Sequence, residues 1–145
     1  MSYRTRKEEY RYKKYQQDRS KSNTTTCVFC DISTGDEQLI SETPNFKIVK
    51  NMFGYSIWDN QPVADHLMIL PKIHTDTLSS LSPDAAVEFV QLISNYESIG
   101  YNVYARAPQS LAKTVVHQHT HLIKTAPKYK QFVLYLQKPY VRIAK

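Results

Sequence analysis

The chain has 145 residues, of which 41% are hydrophobic and 22% charged, which is enough for one hydrophobic core and predicts a single domain. It contains no apolar run of roughly 18 residues, and its amino terminus is charged where a signal peptide would be apolar, so we expect a soluble cytoplasmic protein. Its two cysteines, Cys27 and Cys30, are too few to staple a secreted fold with disulfides.

The net charge of +6 is concentrated at the amino terminus. Residues 1–26 hold eight Lys and Arg against three Asp and Glu, whereas residues 27–145 hold eleven against ten. Residues 1–26 also contain four tyrosines but no aliphatic side chain after Met1, so they cannot form a core of their own. We therefore divide the chain into a basic extension, residues 1–26, either disordered or helical, and a folded domain, residues 27–145. The extension is interpreted as solvated or dimer-packing, and nucleic-acid binding through stacked tyrosines is the alternative.

The first part of the domain is rich in strand signals. Residues 46–50 and 55–59 are short β-rich runs on either side of residues 51–54, which predicts a hairpin whose turn is closed by Gly54. Another apolar run covers residues 66–70. Ser82, Pro83 and Asp84 then form a helix start, and Gly100 ends the element, so a helix of about four turns is expected between them.

The second part returns to strands. Residues 101–106 are expected to form a strand, residues 107–113 a loop, residues 115–123 a second strand and residues 132–136 a last one. Antiparallel strands with one long helix make an α+β fold, with a sheet of about five strands.

Three of the five histidines alternate in the stretch VVHQHTHLIKT: His117, His119 and His121. On a strand, alternate side chains project from the same face, about 7 Å apart. A row of neutral imidazoles could ligate a metal, bind a phosphate or act as a nucleophile. A purely structural role for three such residues in so histidine-poor a chain is disfavoured.

This stretch resembles the signature of the histidine-triad family, and other segments match that family in the same order. The matching segments are CVFCDI at residues 27–32, DNQPVADH at 59–66, LMILPKIH at 67–74 and KTVV at 113–116. The resemblance spans roughly residues 27–125 and implies the family's fold and a hydrolase or transferase acting at the α-phosphate of a nucleotide. Members of the family are commonly dimers, so a homodimer is also implied.

The resemblance also implies roles for individual residues. His119 would be the nucleophile that forms a covalent nucleotidyl-histidine, while His121 and Thr114 would bind the phosphate and His117 would complete the triad. Asp59 would accept hydrogen bonds from the ribose hydroxyls. Ile57 and Phe29 would contact the base. His66 would either support the site from behind or have only a packing role.

The pair Cys27 and Cys30 has the spacing of a zinc site, which needs two further ligands. The resemblance implies that His74 and His117 supply them, giving a structural zinc. Two reduced thiols or a redox pair are the alternatives, although no thioredoxin-like pattern surrounds them.

Two departures from the family pattern add positive charge to the expected site. Lys113 stands where a glutamine is usual, and Arg106 falls near a usual asparagine. These residues could clamp a polyphosphate or misplace the leaving group. The leading hypothesis is a hydrolase that releases a nucleoside monophosphate from a phosphoramidate, a dinucleoside polyphosphate or a similar conjugate. The alternative is a nucleotide-binding or nucleic-acid-binding module with weak or no catalysis.

Overall fold

An antiparallel sheet crossed by one long helix dominates the computed structural model, which describes residues 2–21, 26–128, 133–137 and 140–144. The helices are α1 (Arg6–Lys21), α2 (Pro83–Ser98) and a single 3-10 turn (Leu78–Ser80). The strands are β1 (Ser2–Tyr3), β2 (Leu39–Glu42), β3 (Phe46–Lys50), β4 (Ile57–Trp58), β5 (Gln61–Pro71), β6 (Tyr101–Ala105), β7 (Thr120–Thr125), β8 (Val133–Gln137) and β9 (Tyr140–Ala144). Neither of the two described helices is long and apolar enough to cross a membrane.

Strand β5 organises the sheet. Its second half pairs antiparallel with β3 on one side, and residues 63–69 pair with β7 on the other. Strand β2 extends the sheet beyond β3, and β6 extends it beyond β7. The first two residues of β5 pair instead with β4, which in turn pairs with β1. The apolar run at residues 67–70 is buried because this strand is central and covered on both faces.

The two faces of the sheet have different covers. One face buries Phe46, Ile48, Leu67, Ile69 and Leu122 against apolar side chains of α2. The opposite face carries a second cluster, Ile32, Val49, Met68 and Leu70, packed against Phe29 and Leu39. The second cluster therefore lies on the face that α2 leaves open.

The expected helix start is confirmed. The Ser82 side chain accepts a hydrogen bond from the Ala85 backbone N–H, Pro83 opens α2, and Gly100 adopts a φ of +90° just beyond its end. Serine satisfies a backbone N–H that has no acceptor within the first turn. Glycine adopts the left-handed conformation after the last turn without a steric penalty. The predicted strand at residues 101–106 is also present, one residue shorter, as β6.

The expected hairpin over residues 46–59 is wrong. Strands β3 and β4 do not pair with each other, since β4 folds back onto the start of β5. The turn responsible lies at Asp59 and Asn60, whose φ angles are 46° and 60°. Asn and Asp tolerate this left-handed conformation better than other residues, which suits a two-residue hairpin turn.

The expected strand at residues 115–123 is partly wrong, because β7 begins only at Thr120. The preceding residues are held in an irregular path by tertiary hydrogen bonds. The Gln118 backbone N–H donates to the Thr75 carbonyl at 2.6 Å, and the His117 ring bonds the Pro71 carbonyl at 2.9 Å. Only His121 of the three triad histidines therefore lies on a strand.

Both ends of the chain contain regular secondary structure. Most of the amino-terminal basic segment is the helix α1, and Tyr3 is buried where β1 joins β4. The division of the chain at residue 26 stays a prediction. Near the carboxyl terminus, β8 corresponds to the strand expected at residues 132–136, except that Phe132 lies outside the described residues. It pairs with β9 as a separate two-stranded unit.

Candidate functional site

The candidate site is a cavity of about 680 Å³ above the second core cluster. Its lining includes six of the residues expected from the sequence: His119, His121, Thr114, Phe29, Cys27 and His74. Phe29 meets the His119 ring edge-on, with 5.2 Å between ring centroids. The structure therefore brings together the expected nucleophile, the phosphate-binding residues and one apolar wall.

The protonation of His119 follows from its partner. Its Nδ1 atom lies 2.8 Å from the His117 carbonyl oxygen. A carbonyl oxygen can only accept, so Nδ1 carries the proton and Nε2 keeps its lone pair. Burial is the main cause that lowers the pKa of His119, so the ring stays neutral at lower pH than an exposed histidine. Neutral imidazole with a free Nε2 is the form a nucleophile requires.

His121 is fixed in the opposite tautomer through His66. The Tyr55 backbone N–H donates to His66 Nδ1 at 3.0 Å, so the neutral His66 ring carries its proton on Nε2. That atom lies 3.0 Å from His121 Nδ1, which must accept. The proton of His121 is therefore on Nε2, the position from which it can donate to a phosphate oxygen.

Both members of this pair are held neutral. Burial lowers the pKa of His66 to about 4 and that of His121 to about 2, and the neighbouring positive charge of Arg4 contributes to both shifts. His66 is only 4% exposed. It does not line the cavity itself, but it contacts two residues that do, His121 and Asn51.

The third triad histidine belongs to a separate cluster. His117 is 1% exposed, and its Nε2 donates to the Pro71 carbonyl, which leaves the Nδ1 lone pair free. This Nδ1 lies 3.4 Å from the Sγ atoms of both Cys27 and Cys30, and His74 Nδ1 lies 3.3 Å from Cys30 Sγ. The four ligand atoms are all within 4.8 Å of one another. Among the described residues this cluster could hold a metal ion.

The remaining expected residues lie around the cavity rather than on its surface. Asp59 is exposed in the turn between β4 and β5, and Ile57 pairs with Tyr3 and Pro62. Lys113 donates to the Asp76 carbonyl at 2.7 Å, and Arg106 donates to the Tyr55 hydroxyl at 3.1 Å. Of the described residues, those that line the cavity include none of these four.

Several cavity residues were missed by sequence reasoning. Asn51 lies immediately after β3, lines the cavity, and donates its backbone N–H to the His66 carbonyl at 2.9 Å. Its position directly after the strand-forming run at residues 46–50 was the available signal in the sequence. Arg4 and Tyr12 also line the cavity, but nothing in their local sequence indicates where α1 packs.

No protein-family model matches the chain. It is 29% identical over 111 residues to the adenosine 5'-monophosphoramidase of Candida albicans, covering 68% of this chain and 69% of that protein. It is also 29% identical over 106 residues to the adenylylsulfatase of Arabidopsis thaliana, covering 67% of this chain and about half, 51%, of that protein.

A solved structure supports the fold. A histidine triad protein from Clostridium difficile matches with a TM-score of 0.51 at 20% identity, covering 74% of this chain and 98% of that one. At this identity the likeness concerns the fold alone.

Proposed function

We propose that this chain is a hydrolase of the histidine-triad family and that it hydrolyses a nucleotide at the α-phosphate through a covalent nucleotidyl intermediate on His119. The observation that carries this proposal is the tautomer of His119. Its Nδ1 donates to a backbone carbonyl, so its Nε2 lone pair is available within the cavity.

In the first proposed step, Nε2 of His119 attacks the α-phosphorus. A phosphorus–nitrogen bond forms as the bond from phosphorus to the leaving group breaks. A phosphate leaving group takes the bonding electrons as an anion, and an amine leaving group takes them together with a proton from solvent. The Nε2–H of His121 and the hydroxyl of Thr114 donate hydrogen bonds to the phosphate oxygens. Donors placed beforehand where charge develops lower the barrier.

In the second step, water attacks the same phosphorus. The phosphorus–nitrogen bond breaks, its electrons return to Nε2 of His119, and a water proton passes to solvent. The products are a nucleoside monophosphate and the unchanged enzyme. The hydrogen bond to the His117 carbonyl keeps the His119 ring in one orientation through both steps.

We propose that the base lies near Phe29 and that Asn51 contacts the ribose. Both residues line the cavity. Asp59 was expected to contact the ribose, but its exposed position in the β4–β5 turn favours Asn51 instead. An amide side chain can both accept from and donate to hydroxyls.

For the cluster of Cys27, Cys30, His74 and His117 we propose a structural zinc ion. Zinc bonds of about 2.3 Å to sulfur and about 2.0 Å to nitrogen, at the tetrahedral angle, separate sulfur from nitrogen by about 3.5 Å. Three of the four sulfur–nitrogen separations in the cluster are 3.3, 3.4 and 3.4 Å. The zinc would tie residues 27–30 to the segment that carries the triad.

A homodimer and a cytoplasmic location complete the proposal. Among the described strands of this sheet, β1, β2 and β6 each pair on one side only, and another copy could cover the edge at β2 or β6. Light scattering of the purified protein would test the dimer, and cell fractionation the location.

The deciding experiment compares the wild type with His119→Asn. Asparagine keeps an N–H that can donate to the His117 carbonyl but has no nucleophilic nitrogen. We expect the wild type to release AMP from adenosine phosphoramidate or diadenosine tetraphosphate and to show a nucleotidyl adduct by intact mass after an acid-free quench. The variant should lose both signals with unchanged melting. A wild type that binds these nucleotides without turnover would support the binding-module alternative.

A further inference from the structure

The amino-terminal segment, residues 2–21, forms one wall of the cavity. It contributes Arg4, Tyr12, Tyr15, Gln16, Arg19 and Ser20 to the lining. Residues 26–29, 31 and 32 also line the cavity, and His119 and His121 are part of the same lining. A ligand that reaches His119 therefore lies next to this segment.

Tyr12 places this wall at the phosphate position. Its hydroxyl donates to Thr114 Oγ1 at 2.7 Å and accepts from the Gln16 side-chain amide at 2.8 Å. Because Thr114 Oγ1 accepts from Tyr12, its own hydrogen is free to donate into the cavity. A chain of hydrogen bonds polarises its members, which makes that donor stronger. Tyr12 thus holds the hydroxyl that the proposed function assigns to phosphate binding.

Arg4 brings a positive charge to the same place. Its Nε donates to the Phe53 carbonyl at 2.8 Å, and its guanidinium lies 4.3 Å from the centroid of the Tyr12 ring. Glu9 is 3.6 Å from one guanidinium nitrogen, and the Arg4 side chain is 19% exposed. A guanidinium fixed through Nε still presents terminal N–H groups, which suit the oxygens of a phosphate.

Three aromatic side chains near Arg4 also belong to this part of the cavity. Tyr12 and Tyr15 both pack against Phe53, with ring centroids 5.3 and 5.0 Å apart. All three line the cavity. A cation beside aromatic rings matches a group that has a phosphate followed by a planar base.

We propose that Arg4 and Tyr12 form a subsite for the leaving group, one that selects a second nucleotide phosphate over a small neutral group. This inference rests on the proposed function, because it takes the α-phosphate to lie at Thr114. The leaving group of a dinucleoside polyphosphate is anionic and ends in a base, so it can use both parts of the wall. The amine released from a phosphoramidate can use neither.

The test measures kcat/KM for diadenosine tetraphosphate and for adenosine phosphoramidate in four proteins: the wild type, Arg4→Gln, Tyr12→Phe and Lys14→Gln. Lys14 is the matched control, since it lies exposed on α1 and does not line the cavity. Tyr12→Phe keeps the ring contacts and removes only the hydroxyl. Melting temperatures report whether each variant keeps its fold.

We expect Arg4→Gln to lower kcat/KM for the tetraphosphate by roughly tenfold, the effect of losing one charge-assisted hydrogen bond, and for the phosphoramidate by less than about threefold. Lys14→Gln should change both by less than about twofold. Equal losses on the two substrates from Arg4→Gln would overturn the subsite, whereas Tyr12→Phe also alters the Thr114 hydroxyl and is expected to lower both values. Equal losses from Arg4→Gln and Lys14→Gln would overturn it too. The substrate would then respond to the net charge of the segment, as a bound nucleic-acid strand would, and not to Arg4 itself.

A binding measurement separates this inference from the proposed function. In the His119→Asn background, the affinity for diadenosine tetraphosphate and for AMP is compared with and without Arg4→Gln. Loss of affinity for the tetraphosphate alone supports the subsite even if no protein turns over a substrate. Unchanged affinity for both ligands would refute the subsite while leaving the proposed reaction intact.

Discussion

Acid should destabilise this fold through the buried pair His66 and His121. The two rings share a hydrogen bond of 3.0 Å in which both are neutral, and His66 is only 4% exposed. Burial, and next the charge of Arg4, lower the pKa of His66 from 6.5 to about 4. Protonation of either ring would place a charge on a largely buried side chain, where solvent stabilises it poorly.

The direction and size of this change in the free energy of unfolding follow from proton linkage. As the pH falls below 6.5 the unfolded chain takes up a proton on residue 66, whereas the folded chain does not until about pH 4. The free energy of unfolding is therefore greatest above pH 6.5 and falls through this window. For His66 alone the loss is about 2 kcal/mol between pH 7.5 and pH 5.

Urea unfolding of the wild type and His66→Gln across this pH range tests the prediction. Glutamine offers a donor and an acceptor but does not titrate, so the difference between the two proteins isolates the contribution of residue 66. Acid-induced loss of a metal from the cysteine cluster would affect both proteins alike. A difference that stays constant within about 0.5 kcal/mol from pH 7.5 to pH 5 would refute the reasoning.

Three further predictions concern other parts of the chain. Cys30→Ala should lower both the bound zinc and the melting temperature; a metal-free wild type that melts unchanged would count against a structural metal. Asn51→Ala should raise KM for nucleotide substrates several-fold, whereas Asp59→Ala should have less effect, and steady-state kinetics that reverse this order would restore the expectation from the sequence. Ser82→Ala should cost about 1 kcal/mol of unfolding free energy in urea, because the Ala85 N–H loses its acceptor; a loss near zero would show that water replaces it.

Local signals predicted the elements that local chemistry determines. The start of α2 depends on a side chain and a backbone N–H three residues apart, so Ser82 and Pro83 revealed it directly. Strand pairing depends on contacts far apart in sequence. The short run at β4 looked like a partner for β3, but the left-handed turn at Asp59 and Asn60 returns the chain onto β5 instead.

The site was predicted where motifs carry it and missed where only packing does. His119, His121 and Thr114 were expected from the triad, and all three line the cavity. The helix α1 has charged residues throughout and buries none of its side chains, so its composition indicated a solvated extension. Its place in the site depends on a few contacts, such as that between Tyr12 and Thr114, which no local pattern could predict.

The irregular path before β7 explains how three alternating histidines come to have three different partners. A continuous strand would have pointed all three rings from one face in equivalent surroundings. Because the chain joins the sheet only at Thr120, the His117 ring turns to the cysteines, the His119 ring faces the cavity, and the His121 ring meets His66. The His117 carbonyl, which a regular strand would pair with a neighbour, is left to accept from His119 Nδ1. The break in the strand therefore sets the tautomer of the proposed nucleophile, and a change that extended β7 backwards would remove that control.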